Sequence, residues 1–179
     1  MKMIYNNLRV LSTLFVLVIF PASFTQCFGI EFSQYLDRID KIVKTREERP
    51  KSIYAAQRAL LLAHQGDIRT LTLKKGNKDD KLYHERRHAF DREGVKYKLI
   101  KEWESNTGAS WPKYGCKACC RIKGSCYHHY FEAHHVIPLG YNGTNAWWNI
   151  FPLTVEQHTG STGIHASEEA KAWFPKVKK

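Results

Sequence analysis

The 179-residue sequence has no internal repeat and no low-complexity tract, which excludes a fibrous protein or a repeat array. Its longest apolar run, Val10 to Phe20, is well short of the ~20 residues that a membrane-spanning helix needs, so a polytopic membrane protein is also excluded. Acidic residues are scarce, 17 against 28 lysines and arginines, and the formal net charge is +11. Such a charge favours a polyanionic partner, either nucleic acid or an anionic membrane surface.

The first 29 residues contain no acidic residue, and their two basic residues, Lys2 and Arg9, precede the apolar run. This order is typical of a secretory signal peptide. It predicts cleavage before Ile30 and a secreted or periplasmic protein, with no stable transmembrane segment in the mature chain. Removing residues 1–29 takes away two positive charges and leaves +9 on the remainder. A lipoprotein attached through Cys27 is the alternative, although the residues before Cys27 lack the leucine and small residues that usually precede a lipidated cysteine.

The other cysteines all lie in one short loop, residues 116–126, and are Cys116, Cys119, Cys120 and Cys126. In an exported protein an even set of cysteines favours two disulfides. A structural zinc is the alternative, because Cys116 and Cys119 have the spacing of a metal knuckle. The chain lacks a second Cys-x-x-Cys pair that would complete a zinc site, and the sequence leaves both readings open.

Apolar residues recur with helical spacing in three segments. An amphipathic helix is predicted over residues 31–44 and a second one over 52–65, where Gly66 is placed as a C-terminal cap. These two helices are expected to pack as a hairpin. A third helix is predicted over 94–106, with Gly108 beyond its end.

The stretch from residue 67 to residue 94 shows no sustained hydrophobic period and is rich in charge. It is predicted to be a mobile basic connector with at most one short helix. Arg86, Arg87 and Arg92 lie in it, and they form either a solvated charge run or a patch that contacts the phosphates of a substrate. The expected organisation is a signal peptide (1–29), a helical region with this connector (30–94) and a C-terminal domain (95–179).

Histidine is concentrated near the C-terminus, where six of the nine lie after residue 127. Two strands are predicted here, over residues 130–136 and 149–153, with a turn-rich loop between them. Thr154 is placed to cap a helix that carries His158. The order strand, loop, strand, helix would bring the first histidines of this segment to the last ones.

This segment contains several short motifs in a fixed order, namely Glu132-Ala133-His134-His135, Gly140, Gly143, Asn149-Ile150, His158 and Ile164-His165. The pattern resembles the ββα-metal core of the HNH/endonuclease VII (His-Me finger) superfamily of nucleases, in particular its AHH-type and colicin-like toxin branches. The resemblance covers about residues 95 to 165. It implies an α+β fold in which the N-terminal helical region is followed by a small ββα-metal core.

The resemblance also implies a function. The protein would be a metal-dependent endonuclease that hydrolyses phosphodiester bonds of DNA, or alternatively of RNA, with low sequence specificity. Nucleic acid and a cognate inhibitor or immunity protein are the implied partners. His134, His158 and His165 would hold one divalent ion, with zinc, nickel, magnesium and manganese all open as its identity. His135 would be the general base, largely neutral at pH 7 if its pKa is near the usual 6.5, and Asn149 would orient His135 or fix the loop.

One spacing departs from the family pattern. The closing histidines of many relatives are three or four residues apart, whereas His158 and His165 are seven apart. Seven residues of straight helix rise about 10.5 Å, but two nitrogens that each bind one zinc at about 2.0–2.1 Å are at most ~4 Å apart. Both histidines can therefore reach one ion only if the helix breaks near Gly160 and Gly163. Otherwise a water molecule or Glu132 is expected to replace His165.

Two non-enzymatic functions remain as alternatives. The first is an exported metal-binding or disulfide-stapled envelope protein that binds polyanions without cutting them, although such a binder needs no general base at His135. The second is a membrane-surface module that uses the first amphipathic helix. Glu31, Asp37 and Asp40 give that helix a mixed polar face rather than the basic one that such a role prefers.

Overall fold

The computed structural model describes residues 30–45, 50–92, 94–114 and 130–175, which adopt an α+β fold. Its N-terminal helices are α1 (Phe32–Lys44), α2 (Ala55–Ala63), α3 (Lys78–Arg92) and α4 (Val95–Thr107). They are followed by strands β1 (Glu132–His135) and β2 (Ile150–Leu153) and by the short helices α5 (Val155–Thr159) and α6 (Glu168–Trp173). The α+β class expected from the sequence is confirmed.

Two sequence predictions fall outside the described residues. These are the signal peptide with Cys27 and the cysteine loop 116–126. Among the helices that the structure describes, none has the length and apolar character needed to cross a bilayer.

The two strands pair antiparallel, with Glu132 opposite Leu153 and His135 opposite Ile150. All four residues of β2 are buried. Successive side chains of a strand point to opposite sides, so the adjacent histidines of β1 diverge. His134 lies towards α1 and α5, and His135 lies against Phe90 of α3.

Helices α1 and α2 share one hydrophobic core with the sheet, and α3 and α4 contribute to a second cluster that includes Phe90, Trp103 and Ile150. One face of α1 is buried along its whole length. It packs with residues of α2, of both strand segments and of the C-terminal helices, and the members are Phe32, Tyr35, Leu36, Ile39, Val43, Ile53, Leu61, Val136, Ile137, Phe151, Leu153, Ile164 and Ala170. This core contains residues from both the predicted helical region (30–94) and the predicted C-terminal domain (95–179). The burial of their shared apolar surface holds the two regions together.

A buried glutamine connects α2 and α4 to the start of β2. Gln57 is fully buried, and its Nε2 donates to the carbonyl oxygens of Trp148 (3.0 Å) and Ile150 (2.7 Å). Its Oε1 accepts a hydrogen bond from Nε1 of Trp103 at 3.3 Å. Because an unpaired buried amide is costly, these bonds favour one relative placement of the three elements.

The structure corrects the prediction of a connector with at most one short helix between residues 67 and 94. The helix α3 has 15 residues, of which only Asp79 and Phe90 are buried. Its exposed surface carries ion pairs one turn apart, Lys81 with Glu85 and Arg87 with Asp91, and a contact of Asp80 with His84. Such pairs, and two aspartates in the first turn, stabilise a helix without giving it an apolar stripe. Hydrophobic periodicity could not detect it.

Asp79 ties the first turn of α3 to the segment before it. Its carboxylate accepts hydrogen bonds from Nη1 (2.8 Å) and Nη2 (2.9 Å) of Arg69 and from the backbone N–H of Thr72 (3.2 Å). The hydrogen bonds from Arg69, followed by the one from Thr72, lower the pKa of Asp79 from 3.8 to about 2. A carboxyl group whose pKa is lower in the folded state stabilises the fold above the unfolded-state pKa, and this stabilisation is lost as the pH falls through the folded-state pKa.

Substitution Asp79→Asn should therefore lower thermal stability at pH 7 and reduce its further loss between about pH 4 and pH 2. The check is the midpoint of thermal unfolding by circular dichroism across this pH range. The control is Glu85→Gln, which removes an exposed carboxylate 3.8 Å from Lys81 on the same helix and should change little. If the unfolding midpoint of Asp79→Asn falls with pH as steeply as that of the wild type, the stabilising role of the Asp79 carboxylate is wrong.

Candidate metal centre

Three histidine side chains converge at one point of the described structure. His134 is on β1, His158 is on α5 and His165 is in the 3-10 turn Ile164–Ala166, and one ring nitrogen of each lies within 4.8 Å of the others. Three neutral imidazoles can hold one divalent metal ion and leave further coordination positions open. Nitrogens that bind one zinc are at most ~4 Å apart, so the rings would draw together slightly around an ion.

The break that the sequence requires between His158 and His165 is present. The helix α5 ends at Thr159, and the chain turns closely over its last turn. A Cβ atom at Gly160 would lie 2.4 Å from the carbonyl oxygen of Glu156, and one at Gly163 would lie 2.7 Å from the same atom. Only glycine fits this path without a shift of the backbone. The turn places the ring centroids of the two histidines 4.7 Å apart.

Glu132 determines which nitrogen of His158 faces the site. Its Oε2 lies 2.7 Å from Nδ1 of His158. A carboxylate in this position accepts a hydrogen bond from the Nδ1–H group and leaves Nε2 as the free ligand atom. Glu132 therefore contacts His158, rather than taking the place of His165 as the sequence alternative had it.

Burial keeps His134 in the neutral form that binds metal. His134 is 2 % exposed, and burial first, then the neighbouring histidines, lowers its pKa well below the usual value. Burial also lowers the pKa of His165, with a smaller contribution from His158. Metal binding requires neutral imidazole, so protons compete weakly for His134 near pH 7.

His135 lies beside the three histidines in a cavity of about 260 Å³, to which Tyr83 and Arg87 of α3 also contribute. Its Nε2 is 3.0 Å from Oδ1 of Asn145. The amide of Asn145 is itself oriented, because its Nδ2 donates to the backbone carbonyl of Arg86 at 2.8 Å. Asn145 Oδ1 must then accept from His135, so Nε2 carries the proton and Nδ1 is the free basic atom.

The environment of His135 changes its expected chemistry. The sequence predicts a pKa near the usual 6.5, but burial lowers the pKa of His135 to about 4, although the hydrogen bond to Asn145 partly raises it. The ring packs against Phe90 with centroids 4.4 Å apart. His135 is therefore neutral at pH 7, as expected, but it is a weaker base than a solvated histidine.

Asn149 takes one of its two predicted roles. Its Oδ1 accepts from the backbone N–H of Ile137 (2.7 Å), and its Nδ2 donates to the carbonyl oxygens of Ile137 (3.0 Å) and Thr144 (2.9 Å). It therefore fixes the loop between the strands. The residue that orients His135 is Asn145, which sequence reasoning missed because nothing in the sequence distinguishes it from the other asparagines of this loop.

The three arginines predicted to contact substrate have different surroundings. Arg86 contacts the loop between the strands, because its Nη1 donates to the carbonyl oxygens of Asn142 (3.1 Å) and Gly143 (2.7 Å), and its contact with substrate stays a prediction. Arg92 is exposed at the end of α3. Only Arg87, among the three, lines the cavity of the histidines.

Comparisons with known proteins give partial matches. No family model and no solved structure matches the chain. Toxin YxiD of Bacillus subtilis (strain 168) is 38 % identical over 88 residues, which cover 45 % of this chain and 14 % of that protein. Probable deoxyribonuclease RhsB of Dickeya dadantii (strain 3937) is 39 % identical over 75 residues, which cover 41 % of this chain and 4 % of that protein. The chain thus spans a small part of the length of these relatives.

Proposed function

We propose that the protein is a metal-dependent endonuclease of the HNH (His-Me finger) type that hydrolyses the phosphodiester bonds of DNA. The observation that carries this proposal is the convergence of His134, His158 and His165 next to His135 in one cavity. The printed names of the two relatives, a toxin and a probable deoxyribonuclease, support a nuclease or toxin function. RNA is the alternative substrate.

In this proposal the three histidines hold one divalent ion, with zinc, nickel, magnesium and manganese as candidates. When bound, the ion supplies positive charge next to the scissile phosphate, where negative charge builds up during hydrolysis. His134 is kept neutral for this role by burial, and His158 is oriented by Glu132.

His135 accepts the proton of the attacking water at Nδ1, while Asn145 holds the ring through Nε2. Because burial holds the pKa of His135 at about 4, the ring is unprotonated before the reaction and releases an accepted proton readily afterwards. Because His135 is a weak base, its contribution to the reaction rate depends more on its fixed position than on its proton affinity. The bond from Asn145 to the carbonyl of Arg86 supplies that fixed position.

Arg87 is the residue best placed to contact a phosphate next to the cleaved one. It lies on the rim of the cavity, and its Nε is 2.6 Å from Asp91, which holds the side chain against the helix. Contacts between arginine and phosphate carry no information about base sequence. This recognition is the reason to expect low sequence specificity.

Export and neutralisation complete the proposal. The predicted signal peptide over residues 1–29 would deliver the nuclease to the periplasm or the medium. A toxin nuclease endangers the cell that makes it, so we include a cognate inhibitor or immunity protein among the proposed partners.

The test is a plasmid-nicking assay on the purified protein with magnesium, manganese, nickel or zinc, repeated with EDTA and with an RNA substrate. Conversion of supercoiled to open-circular plasmid that stops on addition of EDTA is the expected result. Cleavage that continues in EDTA would overturn the metal-dependent mechanism. DNA binding without cleavage in every metal would instead support the non-catalytic polyanion-binding protein.

A further inference from the structure

A tyrosine of the N-terminal helix lies directly behind one of the three histidines. The hydroxyl oxygen of Tyr35 on α1 is 3.2 Å from Nε2 of His134 and 3.0 Å from the carbonyl oxygen of Val136. Tyr35 is 1 % exposed and His134 is 2 % exposed, so water does not compete for these bonds. The contact joins residues 99 positions apart in the sequence.

The chemistry of these groups fixes the direction of each bond. A carbonyl oxygen can only accept, so the single hydroxyl O–H of Tyr35 donates its hydrogen bond to Val136. The oxygen of Tyr35 then has only lone pairs to offer to His134. His134 must therefore be the donor, with its proton on Nε2, and in a neutral imidazole this leaves the lone pair of Nδ1 free.

We propose that Tyr35 is a positioning residue that holds His134 in the Nε2–H tautomer and so presents Nδ1 to the metal ion. This inference rests on His134 being a metal ligand, as in the proposed function. It makes α1, which belongs to the region with no family resemblance, a part of the metal centre.

A hydrogen-bond partner also sets the tautomer of His158, but there the proton is on the other ring nitrogen. Glu132 holds the proton of His158 on Nδ1 and leaves Nε2 free. Two of the three histidines therefore have their tautomers set by different partners, a buried hydroxyl for His134 and a carboxylate for His158. Partners of this kind fix the orientation and basicity of a ligating imidazole, and their loss typically lowers metal affinity about 10–100-fold.

The inference is tested on the full chain with the variant Tyr35→Phe, which removes the hydroxyl and keeps the ring in the core. The matched control is Tyr54→Phe, since the Tyr54 ring packs on Trp103 of α4 with centroids 5.5 Å apart and does not line the cavity of the histidines. Titration with zinc alone should show affinity lowered about 10–100-fold for Tyr35→Phe and unchanged for Tyr54→Phe.

A second readout reports the tautomer itself. In the metal-free, ¹⁵N-labelled wild type, the nitrogen shifts and couplings of His134 should identify the Nε2–H form, with a hydrogen-bonded proton resonance that moves upfield in Tyr35→Phe. An Nδ1–H tautomer of His134 in the wild type would overturn the inference, and this measurement decides even if Tyr35→Phe does not fold. Unchanged zinc affinity and unchanged His134 resonances in a folded Tyr35→Phe would overturn it as well.

These experiments can fail or succeed independently of the test for nuclease activity. The tautomer is observed without metal or substrate, and the titration needs no cleavage. A protein that binds zinc through a Tyr35-dependent site but never nicks DNA would disprove the nuclease and leave the role of Tyr35 intact.

Discussion

Substitution His135→Ala is expected to lower the plasmid-nicking rate by about 10²–10⁴-fold, the range that a positioned general base contributes. Zinc affinity should stay at the wild-type level, because His135 is bonded to Asn145 through Nε2 and is not one of the three converging histidines. The measurements are single-turnover nicking rates and a zinc titration of the same preparation.

The control for His135→Ala is His84→Ala, which removes a histidine from the exposed surface of α3, where it pairs with Asp80. It should retain full activity. Added imidazole is expected to restore part of the activity of His135→Ala, because the deleted ring leaves space in the cavity. If activity and zinc affinity fall together in His135→Ala, the residue is a ligand and the assignment of the base is wrong.

Substitution His158→Ala should reduce both metal affinity and activity. It removes one of three ligand nitrogens together with the ring that Glu132 contacts. The loss of affinity should exceed the about 10–100-fold that follows from deleting only a hydrogen-bond partner. The variant Glu132→Gln should show that smaller effect, because it keeps the ligand His158 and weakens the hydrogen bond to its Nδ1.

The dependence of nicking on metal concentration separates the two histidines. Activity of His158→Ala should recover in part as the metal concentration rises, whereas that of His135→Ala should not. Wild-type zinc affinity in His158→Ala would refute the three-histidine site.

The sequence predicts the helices that have a continuous apolar stripe. The pattern over residues 31–44 corresponds to α1, and the pattern over 94–106 corresponds to α4, each within one residue at either end. The prediction over 52–65 exceeds α2 by three residues at its start and two at its end, and after the end of α2 the chain continues as a 3-10 turn over Gln65–Asp67. Local periodicity contains no information about such a change of helix type.

The candidate site shows a similar division between local and distant information. The residues that converge were recognisable as motifs of one contiguous segment, and the glycines indicated where the chain has to break. Their hydrogen-bond partners were not recognisable. In the sequence, Tyr35 is one more apolar position of α1. It contacts His134 only because α1 packs across the sheet.

The elements that carry the three histidines are very short: a strand of four residues, a helix of five and a 3-10 turn of three. Isolated segments of this length have no stability of their own in water. An ion that binds all three histidines binds only when the three elements are in place, so binding and local folding are thermodynamically linked. At a free metal concentration 100 times the dissociation constant, this linkage contributes about 2.7 kcal/mol to stability. Chelation should therefore lower the melting temperature together with the activity.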